Sequence, residues 1–194
     1  MWGFEAAAVA GTQCAIHVFD CTVRATNAPP DSLKGRVTFH HLCVANETHT
    51  DEAGRRFVSW RPLLRAAGLA EGQAPAYVKM DVEGFEYSVM RHVLKSGPDA
   101  LPVQLAIELH WRTYVAGARA LEPWACRPSP TGKDAFYACE VPPAALARWM
   151  DELWRVGGYH LLDRHDNSRS RYCTEVVFAR VAAPLRWHGA VAKV

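Results

Sequence analysis

Four acids and a histidine carry most of the chemistry this sequence could do. Asp81 and Glu83 stand in "YVKMDVEGFEYSVM" (77–90), where an apolar run turns acidic, breaks at Gly84 and resumes with helical spacing. Two residues apart in an extended chain, they point the same way. Like charges side by side need a cation, a shared proton or hydrogen-bond donors. A carboxylate so placed can take the proton of a reacting group. The structural alternative is that one of them accepts backbone N–H groups at the start of the following helix, which suits Glu83 better than Asp81. Glu108 and His110 share one face of "LPVQLAIELHW" (101–111). His110 titrates near working pH and could act as a general base, or it could be a hydrogen-bonded histidine at a strand end. Asp20 closes "CAIHVFD" (14–20). An acid just past a strand can hold both hydroxyls of a ribose, though "DCT" is also good turn chemistry. His40, His41 and His49 show no ligand spacing. Asn167, Arg169 and Arg171 could meet an acidic ligand or form a solvated turn.

The elements that must position these groups read as follows. "CAIHVFD" and "GRVTFHHLCVAN" (35–46) are strands, and "ETHTDEAG" (47–54) is a loop or hairpin. "SWRPLLRAAGLA" (59–70) is a short helix, with Ser59 as its cap and Gly68 as its end. "AYVKMDV" (76–82) is a strand. The helix after it, residues 83–97, carries Phe85, Val89, His92 and Val93 on one face. "LPVQLAIELHW" is another strand. Residues 112–142 are rich in proline and read as a loop that shapes a pocket. "PPAALARWMDELWRVGGYH" (142–160) is an amphipathic helix with a stripe of Leu146, Trp149, Met150, Leu153 and Trp154. "YHLLDRHDN" (159–167) and "YCTEVVFARV" (172–181) form a closing hairpin. Strands alternating with helices predict an α/β fold, a mostly parallel sheet with helices on both faces and an antiparallel C-terminal hairpin.

Composition narrows the function classes. At 194 residues the chain is one domain, spanning 1–194. Hydrophobic residues are 49% and charged residues 22%, which places it among globular proteins. A net charge of +2 with no aromatic-basic patch argues against nucleic acid. No run reaches the ~20 apolar residues of a membrane helix, and "MWGFEAAAVAGTQ" lacks a signal peptide's basic start, so the default compartment is cytoplasmic. Without a C-x-x-C pair the six cysteines give a zinc site little support. Cys14 and Cys43 read as buried thiols, and Cys126 and Cys139 could pair in an oxidising compartment. A nicotinamide enzyme would need G-x-G-x-x-G after its first strand, and none is present.

The segment "VKMDVEGFEYSVM" resembles the D-V-E-G-x-E signature of FkbM-type S-adenosylmethionine-dependent methyltransferases. "CAIHVFDCT", "VTFHHLCVAN", "LAIELHW" and "NSRSRYCTEVVFARV" are similar, in order, to that family's later strands and C-terminal hairpin, so the resemblance covers 14–181. It implies a Rossmann-like class I methyltransferase sheet in the strand order 3-2-1-4-5-7-6. It implies S-adenosylmethionine as cofactor, held by Asp20 with Cys21 and Thr22 and reached by Asp81. Asp81, Glu83 and His110 would be catalytic, Glu108 and Trp111 would face the substrate, and the acceptor would be a hydroxyl of a small molecule or glycan. The family's first strand and Gly-rich turn should precede the helix "GFEAAAVAG" (3–11), and they do not. The central strand is therefore expected to be missing. Either its neighbours close up, or a partner chain supplies it, or the chain is an N-terminally incomplete piece of a longer protein, the reading favoured here. The alternative function is a non-catalytic methyltransferase-like module used for interaction.

Overall fold

A computed structural model describes residues 2–24, 28–116, 125–128, 136–168, 170, 172–181 and 190–193. The order begins with α1 (Gly3–Gly11), β1 (Ala15–Phe19), β2 (Val37–His40), β3 (Cys43–Val44), β4 (His49–Thr50), β5 (Arg56–Val58), α2 (Trp60–Ala66), β6 (Tyr77–Met80) and α3 (Glu86–Lys95). It continues with β7 (Gln104–His110), β8 (Arg112–Ala116), β9 (Ala125–Pro128), β10 (Phe136–Glu140), α4 (Pro143–Arg155), β11 (Tyr159–Asp166), β12 (Cys173–Arg180) and β13 (Ala190–Lys193).

The main sheet runs β11-β12-β7-β6-β13-β1-β2. The five strands from β7 to β2 are parallel, and β12 is antiparallel to both β7 and β11. Two three-stranded sheets, β8-β10-β9 and β3-β5-β4, add further antiparallel pairs, so the sheets together are mixed rather than mostly parallel. The central slot is filled. β13 lies between β1 and β6, pairing Ala15 with Ala190 and Tyr77 with Val191. The expected gap is corrected: no closing-up and no partner strand is needed, because a strand from the other end of the sequence satisfies both backbone edges.

The two faces of the sheet are covered differently. On one, α1 packs through Phe4 and Val9 over Ile16, Val18 and Val37, and Phe4 stacks on Tyr77. On the other, α2, α3 and α4 bury Trp60, Leu63, Tyr87, Met90 and Trp149 against Val78, Met80, Leu105 and Ile107. The alternation of β6 and β7 sends Val78, Met80, Leu105, Ile107 and Leu109 to this core and leaves Glu108 and His110 on the opposite face.

Several local expectations are revised. Ser59 occupies the N-cap position of α2 without a side-chain cap bond; its hydroxyl meets Thr48 instead. The buried stripe of α3 is Glu86, Tyr87, Val89, Met90, Val93 and Leu94, with His92 at its margin. Trp154 is not in the α4 stripe. It is 52% exposed, with the Arg155 guanidinium over its ring. The 112–142 segment contains β8, β9 and β10. Cys43 is not a free thiol, since it is bonded to Cys21, while Cys14 is free and half-buried. Cys139 is disulfide-bonded, and its register partner in the β9–β10 ladder is Cys126. Among the described residues no helix is long and apolar enough to cross a membrane.

Candidate functional site

A cavity of about 570 Å³ opens at the carboxyl ends of β1, β2 and β6. Asp20, Thr22 and Val23 line one wall, Asp81, Val82, Glu83 and Phe85 another. Trp2 and Glu5 of the α1 region reach it from one side, and His49, Asp51, Arg55 and Phe57 of the β4–β5 hairpin from the other. This is where ligands sit in open α/β sheets.

The Asp20 wall is built by short-range bonds. Oδ1 of Asp20 accepts the backbone N–H groups of Thr22 (2.7 Å) and Val23 (3.4 Å) and the Thr22 hydroxyl (2.6 Å). That is an Asx turn, the reason aspartate suits the position. Oδ2 accepts nothing among the described residues. Next to it, Cys21 is tied by its disulfide to Cys43, another cavity residue, so its sulfur is already committed.

The Asp81 wall is built by charge. Glu83 does not lie in an extended chain: its φ is 52° and it sits in the tight turn Val82–Gly84. A side chain in that left-handed conformation costs of order 1 kcal/mol or more and persists only where its surroundings impose it. The carboxylates still converge, and Asp81, Glu83 and His110 place ligand atoms within 4.8 Å of one another. Asp81 is solvent-exposed at the cavity rim, yet the partial desolvation of its carboxylate by the surrounding protein raises its pKa, Glu108 and Glu83 raise it further, and His110 and Lys79 oppose them, leaving it at about 6.

Glu86, which sequence reasoning left without a role, takes the part expected of Glu83. Its Oε1 accepts the N–H groups of Val82 (3.3 Å) and Gly84 (3.1 Å) and faces His110 Nδ1 at 2.8 Å. The signal was present: Glu86 falls at helical spacing with Met90, Val93 and Leu94, an acid on an otherwise buried stripe. His110 is 8% exposed, its Nε2 stands 3.4 Å from Glu83 Oε2, and its carbonyl accepts the Tyr87 hydroxyl at 2.8 Å. Burial disfavours its charge, but the hydrogen bond and charge of Glu86, then Glu83 and Asp81, outweigh it and raise the pKa to about 9. These neighbours favour the protonated, cationic form of the His110 ring.

The remaining expected residues are less directly placed. Glu108 accepts from Cys173 Sγ (3.0 Å) and Asn167 Nδ2 (3.1 Å), bonds that hold its pKa down against the effect of burial. Trp111 packs on the core, and its backbone ties Tyr172 to Val141. Neither Glu108 nor Trp111 nor His110 lines the cavity, although His110 touches Glu83, which does. Arg169 and Arg171 lie outside the described residues.

No protein-family model and no curated protein matches the chain, so the FkbM resemblance stands on its motif. Among solved structures, the crystal structure of the glycopeptide N-methyltransferase MtfA complexed with S-adenosyl-L-homocysteine is similar. It shares 12% identity over 91% of this chain and 87% of that one, with a TM-score of 0.47. The same enzyme complexed with S-adenosyl-L-methionine gives 9% identity, coverage of 91% and 85%, and a TM-score of 0.38. Likenesses this distant assign the chain neither a family nor a substrate.

Proposed function

We propose that this chain is an S-adenosylmethionine-dependent methyltransferase of the class I, FkbM-like kind, acting on a hydroxyl of a small molecule or glycan. The observation that carries the reading is the cavity, with the uncommitted Asp20 Oδ2 on one wall and Asp81 on the other. Its volume suits a nucleoside-sized ligand. The strand order agrees slot by slot with 3-2-1-4-5-7-6, β13 standing in the first position and antiparallel β12 in the seventh.

Asp20 Oδ2 would accept the ribose hydroxyls while Oδ1 keeps the loop closed. Thr22 and Val23 would border the same moiety. Bound there, the cofactor supplies a methyl group on a sulfonium, ready for in-line transfer. Asp81 would orient the acceptor hydroxyl and take its proton, since a base is most effective with a pKa near the operating pH. Glu83 and the His110 cation would hold the Asp81 wall in place.

A second reading, a non-catalytic methyltransferase-like module, is favoured by one observation. β13 follows α1 in sequence instead of preceding it, so no Gly-rich turn joins the central strand to that helix. Calorimetry with S-adenosylhomocysteine separates the two. The enzyme reading expects binding that is lost in Asp20→Ala, and stabilisation of about 2.7 kcal/mol at ligand 100 times above its Kd. A folded chain that binds neither cofactor form supports the module.

A further inference from the structure

We infer that Glu86 is a positioning residue, which holds the His110 ring and the Val82–Gly84 turn from below and so sets where the Asp81 and Glu83 carboxylates stand. The inference rests on the reading of this cleft as a methyl-transfer site. Glu86 itself is not a lining residue of the cavity, so it would touch neither acceptor nor cofactor.

Four observations converge on it. Its side chain is fully enclosed, and an acid is almost never buried so completely unless partnered. A single oxygen, Oε1, gathers the N–H groups on both sides of Glu83 together with the His110 ring. Glu86 opens α3, where the helix's N-terminal partial charge favours an anion. The residue it brackets, Glu83, is the one non-glycine at positive φ among the described residues. The turn is thus bent into an unfavourable shape and clasped there by one carboxylate.

The clasp also orients the ring. With Nδ1 engaged by Glu86 and the backbone carbonyl held by Tyr87, Nε2 is left facing Glu83. This is how a buried carboxylate fixes the direction of an imidazole ring. The charged groups around His110 are Glu86 below, Glu83 and Asp81 on the cavity side, and Glu108 beside Cys173 on the β12 side. Lys79 opposes the acids from β6. Of these, Glu86 is the one from outside the turn that contacts both the ring and the turn's backbone.

The test is Glu86→Gln, which keeps an oxygen acceptor and removes the charge. The expected variant folds and binds S-adenosylhomocysteine within about threefold of wild type, because the Asp20 wall is untouched. Its His110 titration midpoint, followed by NMR, falls by more than about one pH unit, and kcat drops about tenfold or more while the cofactor KM stays put, since small misplacements at a reacting centre are costly. A folded Glu86→Gln with unchanged His110 midpoint and unchanged kcat overturns the inference. Should that variant not fold, His110→Gln breaks the other half of the clasp and is expected to lower kcat similarly, and unchanged kcat in a folded His110→Gln overturns the inference. Where both single variants fold, the double variant should be no worse than the worse single one, and additive losses would refute a shared route. A wild-type chain that binds no cofactor sinks the methyltransferase reading alone, because the His110 midpoint in the two proteins still decides whether Glu86 governs the ring.

Discussion

Asp20 and Asp81 end parallel strands on the same rim of one sheet, and their surroundings are opposite. Asp20 has one oxygen saturated by its own loop, which a disulfide staples from behind. Asp81 accepts no hydrogen bond among the described residues and is crowded by Glu83 and Glu108. A carboxylate with its local bonds already made is an anchor. One that has none, and meets like charge that His110 and Lys79 only partly offset, is a group that can hold or release a proton near neutrality. The same residue type in equivalent places is thus assigned different work by its neighbours.

The largest effect that could sharpen this contrast is Asp81→Asn. Turnover should fall by about 10²–10⁴-fold, the usual contribution of a positioned base, with S-adenosylhomocysteine affinity unchanged by calorimetry. Loss of binding along with turnover would merge the two walls into one site and end the contrast. Next comes the support beneath the Asp81 wall. Trp149 is fully buried against Tyr87, at 5.1 Å between ring centroids, and Tyr87 holds the His110 carbonyl. Trp149→Ala should cost about 3–5 kcal/mol in denaturant unfolding. Trp149→Phe should cost much less, because the buried indole N–H has no partner to lose among the described residues.

Smaller, and specific to the charged wall, is the response to pH. On the proposed reading Asp81 ionises before it accepts the acceptor's proton, so turnover should rise through pH about 6 and then level off. Stability moves the other way. The raised His110 pKa means its contribution is complete below about 6.5 and is lost as pH climbs toward about 9. The raised Asp81 pKa likewise removes stability between its ordinary 3.8 and about 6. Melting temperatures across this range should decline at the alkaline end, and His110→Gln should flatten that decline. An unchanged slope would show that the imidazolium is not held as described.

Much of the frame was legible because it is local. The C-terminal hairpin and the acids after β1 and β6 follow from spacing and turn residues, while the helix 3–11 came from the resemblance alone. The errors share a cause. Glu83 was favoured over Asp81 as the helix-start acid, and Glu86 went unweighed, because linear spacing does not show that the chain turns at Glu83. Trp154 looks like a stripe residue until the helix is docked and leaves it outside. The Cys21–Cys43 bond joins residues 22 apart, and nothing in either apolar run announces the other. Proline-rich 112–142 hid three strands whose pairing is with one another.

β13 lies inside the sheet between β6 and β1 and is the last of the described strands, with residue 15 pairing with residue 190. The β1–β2 pair and the β6–β7–β12–β11 block both precede in the chain the strand that joins them. Until it inserts, both halves carry an open parallel edge, and the walls bearing Asp20 and Asp81 are not parts of one cavity. So distant a pairing makes for slow folding and a nascent chain exposed to wrong partners. The cavity between the two walls is then completed in a single late step, when the two halves close on the strand between them.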